Sequence, residues 1–396
     1  MSQTKSNALL RPTPVYVKII VLALVLVVAF LGGREFYELR HYEETFVASD
    51  ALTGMEMLSD YLPSLKGTYM DTPIFVFDSG VPGGSVLYAA NPHPYEPASS
   101  LSAYILMENI QVEKGVVYVI PQSNRSASTC GVLGNAYPKF YSIPTTWGAA
   151  QFKIGDRGTN PLDQWPDPFT YVNYPSGQQL AYQDIRNFNR TFPGRPEGTL
   201  TERASFALME FIRQNKIDLS IDIHEASIMY PVVGTYVAHD RALDIAMMAS
   251  MNLTANNFDM KCEASPKSLK GLSHREWGDY SDTLAVLMET PEPFIDRVVG
   301  PMTVDLLTTG KDEFLAVAAA HGLTYVPYDI EIGEPMWYRV GRHLSGALEV
   351  MKQTALFYPE KEVIATWPTY EELKEHDCGY FLHDPATADP AFVKKV

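Results

Sequence analysis

Hydrophobic and polar positions along this chain follow first a helical and then a two-residue period, and each change of period marks a new element. Between 19 and 33 no residue is charged, and Val, Leu, Ile, Ala and Phe dominate. Lys5, Arg11 and Lys18 precede this run, and Glu35, Glu38, Glu43 and Glu44 follow it. An apolar run behind a basic leader predicts an export signal or a short membrane anchor, and its length lies between the two. No small-x-small cleavage site follows, which favours the anchor. The basic flank then places 1–18 on the cytoplasmic side and everything after the anchor outside it. Next, Phe36, Leu39, Tyr42, Phe46, Leu52, Met55 and Leu58 recur at helical spacing and predict a helical stalk over 34–65.

From 72 the pattern changes. The apolar run 72–78 reads as a buried strand, and the glycine-rich stretch 79–91 as a loop that ends on His93-Pro94-Tyr95-Glu96. Ser99 or Ser100 is placed to cap a helix with Leu101, Tyr104, Ile105 and Met107 on its apolar face. A second buried strand follows over 116–121. Strand, loop and helix in this order predict an α/β fold with a site at the strand's carboxyl end. Between 127 and 179 periodicity is lost in favour of Gly, Pro, Trp, Tyr and Asn. This predicts a long surface excursion near the site, with Trp147, Trp165 and Tyr171 as candidate substrate contacts, although such rings more often pack their own loop.

Thr199 and Glu202 form a capping box for a helix with Ala204, Ala207, Leu208, Phe211 and Ile212 on one face. The alternating stretch 217–224 then predicts a strand in which Asp218, Ser220, Asp222 and His224 share a face. A helix is expected over 240–254, its Met247, Met248 and Met251 serving as core filler. A polar, aromatic loop over 265–282 contains His274, Trp277 and Tyr280. The apolar run 283–289 delivers Glu289 at its end. After Pro301 the pattern offers a helix to His321, an extended piece over 325–332, a helix over 342–356 and an acidic end.

Composition narrows the function classes. With 396 residues, 46% of them hydrophobic, the chain can bury one large core or two ordinary ones. Its formal net charge of −16 argues against nucleic-acid or anionic-lipid surfaces, which require clustered Lys and Arg. Cys130, Cys262 and Cys378 are far apart and lack CxxC spacing, so they make neither a thiolate metal site nor a disulfide framework.

The candidate chemistry starts at His93 and Glu96, a pair whose spacing can bring an imidazole nitrogen and a carboxylate oxygen to one metal ion. In a chain with nine histidines such a pair gains weight only from company. Asn189 and Arg190, beside the Phe192-Pro193-Gly194 turn, can grip a substrate carboxylate through charge-assisted bonds. Asp222 can orient a neighbouring ligand.

Taken together, His93-x-x-Glu96, Asn189-Arg190 with Phe192-Pro193-Gly194, Ile221-Asp222-Ile223-His224 and Glu289 resemble the zinc metallocarboxypeptidase superfamily, more closely its succinylglutamate desuccinylase and aspartoacylase branch. The resemblance covers about 70–295. It implies a mixed, largely parallel central sheet flanked by helices, a catalytic domain over 70–300 and a C-terminal extension over 301–396 packed on it. It further implies one zinc ion on His93, Glu96 and His224, Glu289 as general base, and Asn189 with Arg190 holding the substrate carboxylate. Mixed His and Glu ligation with one open position suits zinc.

The expected activity is hydrolysis of an amide bond next to a free carboxylate, in an N-acyl amino acid or small peptide, on the extracytoplasmic side of a membrane. A carboxypeptidase or amidase acting on peptides, cell-wall peptides included, and an inactive binding module are the alternatives. Two departures stand out. The branch has an arginine seven residues before its Asn-Arg pair, where this chain has Tyr182, with Arg157 and Arg186 as the arginines at hand. The tail does not resemble the β-rich C-terminal domain of aspartoacylases.

Overall fold

The computed structural model describes residues 13–131, 138–256, 258–295 and 300–396. It divides into two compact units, Met1–Tyr42 and Glu43–Val396. The first is dominated by one helix, Val15–His41, whose apolar side chains, apart from Leu39, are largely exposed. At 1.5 Å per residue it is about 40 Å long. It is long and apolar enough to cross a membrane. The helix outlasts the uncharged run because Arg34 and Glu38, one turn apart, pair at 2.6 Å and extend it through a polar last turn.

The helical stalk expected over 34–65 ends at His41. Thr45–Val47 and Gly54–Met57 are strands, followed by short 3₁₀ turns at Leu58–Asp60 and Pro63–Leu65. The cause is tertiary: Thr45–Val47 pairs antiparallel with Val393–Lys395 at the other end of the chain, and Gly54–Met57 is an edge strand on Pro73–Asp78. Strand pairing overrides a helical spacing that reached only a few apolar residues.

Glu43–Val396 is organised on an eight-stranded sheet. Its order is Lys261–Ala264, Thr235–Ala238, Leu284–Glu292, Leu219–Ser227, Ser85–Ala90, Val116–Ile120, Pro73–Asp78 and Gly54–Met57. The middle strands, from Leu284–Glu292 to Val116–Ile120, are parallel to one another. Antiparallel pairings flank them on both sides, with Lys261–Ala264 again parallel to its neighbour. Strands buried on both faces read as unbroken apolar runs, as 284–288 does, whereas the equally buried 219–224 alternates apolar residues with Ser220, Asp222 and His224.

Each face carries its own core. On one, Tyr88, Ile221, Ile223, Val286 and Met288 pack with the helices Pro97–Asn109, Leu243–Ala255 and Met336–Phe357. On the other, Ile74, Leu87, Ala89 and Ala285 meet the helix Leu200–Gln214, which starts at the expected Thr199–Glu202 capping box, and Trp277 of the helix Ser273–Asp279.

Two local expectations change. The glycine-rich stretch holds the buried strand Ser85–Ala90, and it is this strand, at the centre of the sheet, that leads into His93. The following helix begins at Pro97, whose missing N–H suits a first turn, rather than after a serine cap. Ser99 instead donates to the Ile223 carbonyl (2.7 Å) and accepts from the Asn91 N–H (2.7 Å), joining helix to sheet. In the 127–179 excursion, Phe140–Thr145 and Gly148–Lys153 form a hairpin. Its aromatics serve packing or solvent: Trp147 donates to the Leu382 carbonyl (2.9 Å), Tyr171 donates to the Arg190 carbonyl (3.0 Å), and Trp165 is exposed.

Candidate metal centre

The strand Ser85–Ala90 hands over through the helix Pro97–Asn109 to Val116–Ile120 on one side, while Leu219–Ser227 lies on its other side. The crevice beyond the carboxyl ends of two such strands is where α/β sheets place ligands, because the chain leaves them in opposite directions. His93 and Glu96 follow the first strand, and His224 lies near the end of the second.

One ligand atom from each of His93, Glu96 and His224 lies within 4.8 Å of the others, and all three residues are buried. The two imidazoles turn the same nitrogen inward. His93 Nδ1 is 2.7 Å from Glu96 Oε1, and His224 Nδ1 is 3.0 Å from Glu96 Oε2. Their outer nitrogens are held from behind: His93 Nε2 by Asn187 Oδ1 (2.8 Å) and His224 Nε2 by Asp222 Oδ2 (2.9 Å). An N–H donated outward leaves the inner nitrogen's lone pair for a metal, the arrangement that fixes the tautomer of ligating histidines. Asp222 is in turn bonded by the Ser273 hydroxyl. The donor set therefore fits a single borderline-soft cation such as zinc.

Charge sets the two imidazoles apart, His93 neutral and His224 drawn towards the protonated form by its carboxylate neighbours. Burial lowers the pKa of His93 to about 4, despite the nearby Glu96 carboxylate. Burial would likewise depress His224, but Asp222 and Glu96 outweigh it and hold its pKa well above the ordinary value. For Glu96, burial works towards the neutral acid, and the two imidazoles overcome it and keep the carboxylate ionised.

Glu289 lies directly across the sheet from His224, in parallel register. The strand does not end there but runs on to Glu292, so Glu289 is an inward-facing strand residue. Burial, reinforced by the charges of Glu96 and Asp222, pushes its pKa up to about 8, against the pull of His224 and Arg157. Its Oε2 is buried without a hydrogen-bond partner. A cavity of about 260 Å³ opens here, with His93, Glu96 and Glu289 in its wall.

Asn189 and Arg190 also line the cavity. Asn189 is committed locally: its Oδ1 accepts from the Ser273 N–H (2.7 Å), and its Nδ2 lies 3.4 Å from His224 Nε2. Arg190 donates to the Asn189 carbonyl (2.6 Å), and its backbone lies close against Gly271. At Gly271 φ is +86°, and a Cβ would come within 2.1 Å of the Arg190 carbonyl oxygen, so only glycine fits there. Of the two arginines offered in place of the one missing at Tyr182, Arg157 lines the cavity and donates to the Tyr95 hydroxyl (3.0 Å), whereas Arg186 is paired with Asp167 (2.9 Å).

Three members of the site carried no sequence expectation of their own. Asn187 sits next to the Asn-Arg motif but is distinguished only by its contact with His93. Tyr230 follows the strand of His224 and lines the cavity, and Glu263 comes from an edge strand. His274, expected merely within a polar loop, also lines the cavity and is tied to the Ser265 hydroxyl (2.8 Å).

No protein-family model and no curated protein matches the sequence. Among solved structures, the chain is similar to a succinylglutamate desuccinylase/aspartoacylase from Rhodobacter sphaeroides (17% identity, 55% of this chain and 51% of that one, TM-score 0.34). It is also similar to a metallo-carboxypeptidase from Burkholderia cenocepacia (10% identity, 83% and 68%, TM-score 0.41). A third is the product-bound cell shape determinant protein Csd4 from Helicobacter pylori (10% identity, 75% and 56%, TM-score 0.43). The chain spans about half the length of the succinylglutamate desuccinylase structures it matches.

Proposed function

We propose that this protein is a zinc-dependent hydrolase that cleaves an amide bond next to a free carboxylate. The observation that carries the reading is the convergence of His93 Nδ1, His224 Nδ1 and the Glu96 carboxylate beside Glu289, a buried carboxyl with one oxygen unpaired. Bound there, zinc supplies Lewis acidity and makes water a nucleophile near neutral pH. Asn187 and Asp222 hold the two imidazoles in one tautomer and orientation. Glu289, ionised once a cation is bound beside it, would take a proton from the attacking water and pass it to the leaving nitrogen. Arg157 and Arg190 hold the substrate carboxylate, and Leu269, Leu272 and Ile295 keep bulk water away from the reacting bond.

At about 260 Å³ the cavity accepts a group of amino-acid size. An N-acyl amino acid fits this reading, and a peptide fits it too if only the terminal residue enters, which keeps a carboxypeptidase as the second reading. The helix Val15–His41 serves as the membrane anchor in this proposal, with Glu43–Val396 on the extracytoplasmic side.

The test is metal content and amide hydrolysis of the full chain in detergent, before and after chelation. Activity should vanish with the metal and return with zinc. His224→Ala should bind no stoichiometric zinc, and a folded variant that retained it would remove His224 from the ligand set.

A further inference from the structure

The sheet carries a second carboxylate into the cavity, away from the metal ligands. Directly across the strands, Asp222 pairs with Leu287, Leu287 with Val237, and Val237 with Glu263. Residues opposite one another on adjacent strands share a face. This row therefore lies on the face of Asp222 and His224. Leu287, Val237 and Glu263 all line the cavity. Leu287 and Val237 are buried yet belong to neither of the two large cores, consistent with their serving as an apolar floor.

Strands are about 4.8 Å apart and residues about 3.3 Å apart along a strand. Glu263 is two strands across from Leu287, and Glu289 is two residues along from it. Their Cα atoms are thus about 12 Å apart, on one face. The Glu263 carboxylate is half-buried and, among the described residues, enters no hydrogen bond or ion pair. A partly desolvated carboxylate beside apolar floor residues is costly unless a cation reaches it.

We propose that Glu263 is the recognition point for a distal ammonium, so that the amino-acid part of the substrate is a diamino carboxylic acid. Its carboxylate meets Arg157 and Arg190, its methylene stem lies over Leu287 and Val237, and its terminal ammonium pairs with Glu263. The proposal rests on the hydrolase reading only for the placement of the carboxylate. A stem of lysine length, with its rotatable ammonium, fits the separation between the reacting bond and Glu263.

Binding of free product-like amino acids tests this without turnover. Lysine, norleucine and 2-aminoadipate would be titrated by calorimetry into the zinc-loaded full chain and into Glu263→Gln and Glu263→Lys, with unchanged melting as the check on folding. Lysine should bind about tenfold more tightly than norleucine, as expected for one charge-assisted contact. Glu263→Gln should abolish that preference, and Glu263→Lys should shift it towards 2-aminoadipate. Equal binding of lysine and norleucine, a preference that survives Glu263→Gln, or no binding of any of the three would overturn the proposal. A Glu263-dependent preference for lysine in a protein that hydrolyses no amide would leave it standing and remove the hydrolase reading instead.

Discussion

On the strand Leu284–Glu292, Glu289 lines the cavity, whereas Glu292 and, on Leu219–Ser227, Glu225 approach Arg339 of the helix Met336–Phe357. Both groups are buried and acidic, and they differ in how far their hydrogen-bonding capacity is filled. Glu225 Oε1 accepts from Arg339 Nε (2.7 Å) and Oε2 from the Ala98 N–H (2.6 Å). Glu292 takes the N–H groups of Phe294 (2.8 Å) and Ile295 (2.6 Å). Glu289 leaves Oε2 without a partner. Saturated carboxylates hold a structure in place, whereas an unsaturated one in a cavity is available for a proton or a substrate.

The two sides are also connected. The Glu225 N–H donates to Glu96 Oε2 (3.1 Å), and its side chain caps the helix that follows Glu96, so the Arg339–Glu225 pair stands directly behind the Glu96 carboxylate.

The largest expected effect separates chemistry from structure. Glu289→Gln should retain zinc and melting temperature and lose turnover by about 10²–10⁴-fold, measured as kcat on any amide that the wild type cleaves. Unchanged turnover would mean that the unpaired oxygen is not the base.

Arg339→Met reverses that signature by leaving Glu225 as an uncompensated buried charge. It should lower the unfolding free energy by about 3–5 kcal/mol in a denaturant titration.

Asp222→Asn acts on the metal side without removing a ligand. It should weaken zinc affinity about 10–100-fold in a chelator competition, because the imidazole of His224 loses its anionic partner. An unchanged affinity would make Asp222 an ordinary buried strand residue.

The smallest effect is a pH dependence. Glu334, near Arg342 and Arg339, is pushed up to about 8 by burial, against an ordinary value of 4.5. The folded state therefore binds a proton that the unfolded chain has already released. The resulting stability is fully present below pH 4.5 and is lost as pH rises through about 8. Thermal midpoints should fall across that window in the wild type and less steeply in Glu334→Gln.

Much of this architecture is written locally. The capping box at Thr199 and Glu202, the alternation that brings Asp222 and His224 to one face, and the apolar runs at 116 and 284 depend on near neighbours, so periodicity reveals them. His93, Glu96, His224, Arg190 and Glu289 were legible as a set because each closes or follows a local pattern. Asn187 and Arg157 were not distinguishable in that way. Asn187 stands out because its amide meets an imidazole from a distant segment, and Arg157 differs from Arg186 in lining the cavity, Arg186 being paired with Asp167.

What local pattern could specify, then, was the identity of the elements and the residue types at the strand ends, since propensity and alternation act over a few residues. Sheet order, strand register and pairing partners came from contacts between remote segments. They turned 45–47 from helix into strand, placed Glu289 across from His224, and extended the row from Asp222 to Glu263. Such contacts form only when apolar faces are buried against one another, and that free energy belongs to the whole fold rather than to any stretch of the chain.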